Sequence, residues 1–175
     1  VSGTGQFIAG VSGYNFNGTI ESCYNTGAVS GSSGHVGGVT ASTDGTITDC
    51  YNTGAVSGSG RVGGVAGKND GTVKNCYNTG TVSGSSEVYG VIGLSTNDNV
   101  ENCYYLDTAA SGGFSDKDTV GAAEAKTAAQ FASGEVAYLL NGSTSEGELV
   151  WKQTLGTDAY PSFTGGTVYQ VENCK

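Results

Sequence analysis

Along the first 107 residues the hydrophobic pattern is one of short runs, about five residues each, rich in Val, Ile and Thr and broken by Gly, Asn and Asp. Runs of that length suit β-strands and fall short of the roughly ten residues a helix needs. The same text also returns at a fixed interval. Cys23-Tyr24-Asn25-Thr26-Gly27, Cys50-Tyr51-Asn52-Thr53-Gly54, Cys76-Tyr77-Asn78-Thr79-Gly80 and Cys103-Tyr104-Tyr105-Leu106-Asp107 place their cysteines 27, 26 and 27 residues apart. After each of the first three anchors comes Val29-Ser30-Gly31-Ser32, Val56-Ser57-Gly58-Ser59 or Val82-Ser83-Gly84-Ser85. Asp44-Gly45-Thr46-Ile47 and Asp70-Gly71-Thr72-Val73 close two of the units.

A period in this range marks a repeat architecture, in which no unit buries its own apolar face and neighbours must stack. Three short strands per unit, each paired in parallel with its copies about 4.8 Å away, give a parallel β-helix. Propeller blades are longer, about 40 residues with four strands. The expected fold is therefore all-β: a right-handed parallel β-helix of about four coils of 26–27 residues, its hand taken from the general crossover preference. Stacking aligns Cys23, Cys50, Cys76 and Cys103 as a file of small apolar fillers, Tyr24, Tyr51, Tyr77 and Tyr104 as an aromatic column of undetermined direction, and Asn25, Asn52 and Asn78 as an amide ladder. Asn tolerates left-handed backbone angles, so those asparagines are also expected to form a corner.

Beyond Asp107 the period stops and Ala, Lys and Glu become frequent. Thr127-Ala128-Ala129-Gln130 reads as a helix N-cap with a capping-box partner, opening a helical stretch through Phe131, Val136, Leu139 and Leu140. Gly134 interrupts it and Asn141-Gly142 ends it. Because an open solenoid end exposes core and strand edge, residues 108–165 are assigned as a small α-containing C-terminal cap after the repeats of residues 1–107. Residues 166–175 look like a restarted repeat, since Val171-Glu172-Asn173-Cys174 reproduces Val100-Glu101-Asn102-Cys103. Val1-Ser2-Gly3 aligns with Val29-Ser30-Gly31, part-way through a coil. Two readings follow: a piece of a longer array, or a subunit whose Val171 strand pairs head to tail with the open first coil at Val1 of the next copy. Cys174, the odd fifth cysteine, is then placed for an intermolecular bond.

The sequence resembles the GLUG-motif repeats of bacterial cell-surface proteins. The matching segments are Ala9-Gly10-Val11-Ser12-Gly13, Gly37-Gly38-Val39-Thr40-Ala41, Gly63-Gly64-Val65-Ala66-Gly67 and Tyr89-Gly90-Val91-Ile92-Gly93, each followed by the Cys-Tyr anchor. This chain has Val where the family name implies Leu. The resemblance implies an extracellular, adhesin-like or stalk region at a bacterial cell surface, and it carries no catalytic residues. The segment around Phe131–Gly142 and Gln153–Pro161 is similar to a tail that follows such repeats.

Composition narrows the partners. A net charge of −9 repels nucleic acid and anionic lipid. No run of about 18 apolar residues spans a membrane. The chain has no Met and starts at Val1, as expected for part of something larger. No cofactor is expected, and the lack of paired CxxC motifs argues against zinc. Turn acids such as Asp44, Asp70 and Asp98 have the chemistry for calcium, but Asp-Gly is equally a tight-turn signature. His35, the single histidine, is expected to be surface filler in a variable turn, and regularly placed acids argue for structure over catalysis. The expected role is thus a non-catalytic stalk, adhesin segment or filament subunit that meets copies of itself or a surface glycan or protein. The alternatives are a glycan-binding module using the Tyr column and Asn/Thr ladder, and a polysaccharide-degrading β-helix enzyme.

Overall fold

The computed structural model of the chain describes residues 1–114, 122–144 and 148–164. It divides into two compact units, Val1–Ala125 and Lys126–Lys175. The first is a parallel β-solenoid of about four coils. Five ladders make it, and the repeat strands within each pair in parallel. The first joins Ser2–Gly3, Val29–Gly31, Val56–Gly58 and Val82–Gly84. The second joins Phe7–Ala9, His35–Gly37, Arg61–Gly63 and Val88–Tyr89. Ser12–Asn15, Thr40–Thr43, Ala66–Asn69 and Ile92–Ser95 form the third. Thr19–Glu21, Thr46–Thr48, Thr72–Lys74 and Val100–Glu101 form the fourth. The fifth contains Tyr24–Asn25, Tyr51–Asn52, Tyr77–Asn78, Cys103–Leu106 and Ala123–Lys126.

Each coil thus holds five short strands, where three were expected. Corners divide what reads in sequence as continuous β-rich text. One sits at the residue before each anchor cysteine: Ser22, Asp49, Asn75 and Asn102 have left-handed backbones with φ of 51°, 51°, 51° and 54°. The left-handed corner expected at Asn25, Asn52 and Asn78 lies instead at these four positions, and the anchor asparagines are extended strand residues. Short polar side chains accept that conformation because they can bond locally, as Asp49 does by accepting from the Thr48 hydroxyl at 2.7 Å.

The interior is split into two apolar columns. The larger contains Val39, Ile47, Cys50, Val65, Val73, Cys76, Val91, Val100 and Cys103. The smaller stacks Val29, Val36, Val56, Val62 and Val82. Repetition places a Val or Ile at corresponding points of successive coils, so Val36 stacks on Val62 and Ile47 on Val73. Burying one such side chain contributes about 1.5–3 kcal/mol.

The sequence period ends at Asp107, but the backbone winds on. Val82, Gly90 and Val91 donate N–H bonds to Ala109, Gly112 and Gly113 at 3.0, 2.7 and 2.8 Å. Phe114 bridges Ile92, and Phe114, Ala122 and Ala123 join the larger core. This further turn follows backbone hydrogen bonding, which needs no matching side chains.

The second unit contains α1 (Ala128–Ala132) and α2 (Glu135–Leu140). Thr127 and Gln130 form a reciprocal capping box, and Gly134 adopts φ 84° between the helices. Trp151, Phe131 and Leu140 are buried. Asn141, at the end of α2, holds Trp151, donating to its carbonyl at 2.9 Å and accepting from its N–H at 3.0 Å.

Candidate functional site

The Cys-Tyr-Asn anchors stack in register, with Tyr24 on Tyr51, Tyr51 on Tyr77 and Tyr77 on Tyr104. Strand alternation sends Cys and Asn to one side and the intervening Tyr to the other. Cys50, Cys76 and Cys103 lie in the larger core with the half-buried Cys23 against it. Cys23, Cys50, Cys76 and Cys103 carry free thiols, each donating to the carbonyl two residues back, at 3.2, 3.1, 3.1 and 3.3 Å. Burial, reinforced by the neighbouring thiols, pushes Cys76 well above the ordinary thiol range. Burial also raises Cys23.

The asparagines form a polarised chain. Asn25 Nδ2 donates to Asn52 Oδ1 at 2.7 Å, and Asn52 Nδ2 donates to Asn78 Oδ1 at 2.7 Å. Each amide also donates to the glycine carbonyl two residues on, at 2.6, 2.7 and 2.8 Å. Asn52 and Asn78 are fully buried, so these bonds satisfy groups that would otherwise cost free energy. Tyr105 takes the place of the fourth asparagine and lies in the larger core, which ends the ladder.

A second polar file went unread in the sequence. Asn15, Thr43, Asn69 and Ser95 stack at the end of the third ladder. Asn15 donates to Thr43 Oγ1 at 3.0 Å, and Asn69 donates to Ser95 Oγ at 3.1 Å. Thr43 and Asn69 also accept from the N–H of Gly45 and Gly71, at 3.1 and 3.0 Å, which fixes the Asp-Gly turns. The signal was a polar residue immediately before each turn, masked by its changing identity.

Tyr24, Tyr51 and Tyr77 stack at 5.0 and 5.1 Å with rings within 5° of parallel. Tyr24 is 54% exposed, whereas Tyr51, Tyr77 and Tyr104 are buried. Further accessible aromatic surface lies elsewhere on the first coil. Phe7 and Tyr14 stack at 5.6 Å, Tyr14 and Phe16 lie 6.1 Å apart, and all three are exposed. Tyr14 donates its hydroxyl to Asp44 at 3.0 Å, which raises the Tyr14 hydroxyl above its usual range.

His35 corrects an expectation. It lies in a strand of the second ladder, not in an exposed turn, and is 8% exposed. Parallel pairing holds it between Phe7 and Arg61, with the Phe7 ring 5.6 Å away. Burial, then the nearby Arg61 and Lys68 charges, lowers its pKa. Arg61 in turn pairs with Glu87 at 2.8 Å.

Of the turn acids, Asp44 accepts from Tyr14 and from the Asn17 N–H at 2.7 Å. Burial opposes charge on Asp70, but hydrogen bonds from Lys68 and Thr96 outweigh it and hold the carboxyl below its ordinary range. Among the described residues no group of three or more His, Cys, Asp or Glu side chains is placed to share a metal ion. Among the described residues no helix is long and apolar enough to cross a membrane. Val1 is ordered in register, its terminal nitrogen donating to the Ala28 carbonyl at 2.6 Å. Val171 and Cys174 lie outside the described residues.

Residues 58–83 match the GLUG motif family. With the parallel solenoid around them, they form a GLUG-type β-helical repeat. No curated protein and no solved structure matches the chain.

Proposed function

We propose that this GLUG-type β-helical module serves as a non-catalytic structural or adhesive segment of a bacterial surface protein, outside the cell. The observation that carries the reading is how the anchor residues are used. Asn52, Asn78, Cys76 and Tyr77 are fully buried and stacked on their own copies, so the most chemically distinctive side chains serve the axial stack. Acids and hydroxyls at the turns bond to neighbouring coils in the same way. Such a module has the properties of a stalk: length set by coil number and contacts only between neighbours.

Antibody labelling of intact cells of the source organism tests the reading. Label on unpermeabilised cells is expected; label that appears only after permeabilisation overturns it. Incubation with a polysaccharide panel checks the non-catalytic part, with no release of reducing ends expected.

A glycan-binding role is a second reading, favoured by the exposed rings of Phe7, Tyr14 and Phe16. Rings of this kind offer apolar faces to sugars, with polar groups at their rims. A glycan-array signal lost on Phe7→Ala with Phe16→Ala supports it, and uniformly negative arrays remove it.

A further inference from the structure

Cys50, Cys76 and Cys103 are nucleophilic groups sealed in the core, each 0% exposed. Main-chain bonds fix their spacing. The Cys50 carbonyl accepts from the Tyr77 N–H at 3.1 Å and the Cys76 carbonyl from the Tyr104 N–H at 2.9 Å. Successive cysteines therefore stand side by side on neighbouring coils. Coils about 4.8 Å apart put their Cα atoms inside the window of about 4.4–6.8 Å that a disulfide requires. Cys76 interacts side chain to side chain with both Cys50 and Cys103.

The two contacts of Cys76 are not equivalent. Cys103 Sγ leans towards the coil that carries Cys76, lying 3.8 Å from the Val73 carbonyl oxygen and 3.3 Å from that of Glu101. Cys50 leans in the same sense, away from Cys76, with its Sγ 3.6 Å from the Ile20 carbonyl oxygen. Cys76 itself donates to the Lys74 carbonyl of its own coil at 3.1 Å. Of its two neighbours, Cys103 is thus the one turned towards it.

We propose that Cys76 and Cys103 close to an intrachain disulfide when the chain folds in an oxidising medium, tying the fourth anchor covalently to the third. The step is thiol–disulfide exchange with a small disulfide as oxidant. One cysteine thiolate attacks a sulfur of the oxidant and releases one thiol, and the second cysteine then displaces the other. The two cysteines give up two electrons and two protons, and the oxidant leaves as two thiols. Burial holds Cys76 well above the ordinary thiol range once the coils close. Exchange therefore belongs to the closing chain, and a bond once made is protected from thiols in solution. The two residues lie 27 positions apart, so the link restrains a sizeable loop of the unfolded chain. Coils touch only their neighbours, so opening passes from coil to coil, and the staple blocks that passage where the repeat gives way to Tyr105. The proposal rests on the surface-module reading for its medium, since disulfides persist outside the cell and are rare in the cytosol.

The test refolds the full chain from denaturant in a mixture of reduced and oxidised glutathione and, in parallel, in excess reductant. Cleavage at Glu87 separates the two cysteines, so a digest made without reduction reads the bond. A Cys76–Cys103 cross-link within single chains is expected, with an unfolding temperature about 5–10 °C above that of the reduced chain. Cys103→Ser should remove both the bond and the difference between the two media, whereas Cys50→Ser should keep both. If a variant does not fold, the parent chain in the two media still decides. Free thiols at Cys76 and Cys103 after oxidative refolding overturn the staple, as does a Cys50–Cys76 pairing or one unfolding temperature in both media. A chain that stays reduced yet labels on intact cells sinks the staple and leaves the surface-module reading standing.

Discussion

The Asn78 side chain fills the space in front of Gly64, so that a Cβ on Gly64 would lie 2.3 Å from Asn78 Cγ and 2.2 Å from the Gly90 carbonyl oxygen. Gly10 and Gly38 meet Asn25 and Asn52 in the same way. The Gly-Val step of the repeat and the Asn of its anchor, 14 positions later from Gly64 to Asn78, are therefore two halves of one contact. Gly64→Ala should destabilise the solenoid by about 1–3 kcal/mol, the range for overpacking. Adding Asn78→Ala should not restore stability, because the backbone oxygen of Gly90 still collides. Urea unfolding of the single and double variants measures both effects.

Within the amide ladder, position matters more than identity. Asn52 accepts one ladder bond and donates two hydrogen bonds, while Asn25 stands at the end. Asn52→Ala strands partners on both sides and should cost about 2–3 kcal/mol. Asn25→Ala should cost less, since Asn25 makes one ladder bond where Asn52 makes two and is less completely buried. Equal losses in denaturant midpoint would contradict a polarised ladder.

His35 makes stability depend on pH in a fixed direction. Its pKa in the folded chain lies below the ordinary value, about 6.5 in the unfolded chain. As pH falls through that value the unfolded state takes up the proton first, so stability is full above it and declines until the folded-state pKa is passed. His35→Phe, which keeps a ring against Phe7, should flatten the loss between about pH 7 and pH 5. A slope unchanged from the parent protein would count against this assignment.

Thiol reactivity should follow burial along the file. Cys76 is fully buried with its pKa raised well above the usual range, and only the thiolate reacts readily. Timed alkylation of the native protein at pH 8 with peptide mapping should find Cys23 modified first among the four stacked cysteines. Cys76 should react only after unfolding. Early modification of Cys76 would mean that the coils open more easily than their packing implies.

Where residues recur, the sequence disclosed the fold. The returning Cys-Tyr-Asn anchor led to the parallel stack, and Thr127 with Gln130 led to the capped helix. Features set by the neighbour in the next coil stayed hidden. His35 reads as a loop residue until Phe7 and Arg61 are placed above and below it. The file of Asn15, Thr43, Asn69 and Ser95 shares hydrogen-bonding capacity but no common letter. Likewise Ser22, Asp49, Asn75 and Asn102 share a backbone angle that several short polar residues can adopt. Two apolar columns, in place of one interior, follow from the paths of the corners, which a periodic pattern alone does not trace.

Tyr105 ends the asparagine ladder, although the backbone adds a further turn beyond it. Copying an internal coil between Ala55 and Val56 would present familiar partners on both sides, adding about 4.8 Å of length per copy. A coil placed after Tyr105 would meet an aromatic ring where its asparagine needs an amide. Lengthening by whole coils is thereby confined to one side of that ring, and the coil that carries Tyr105 keeps its own neighbours.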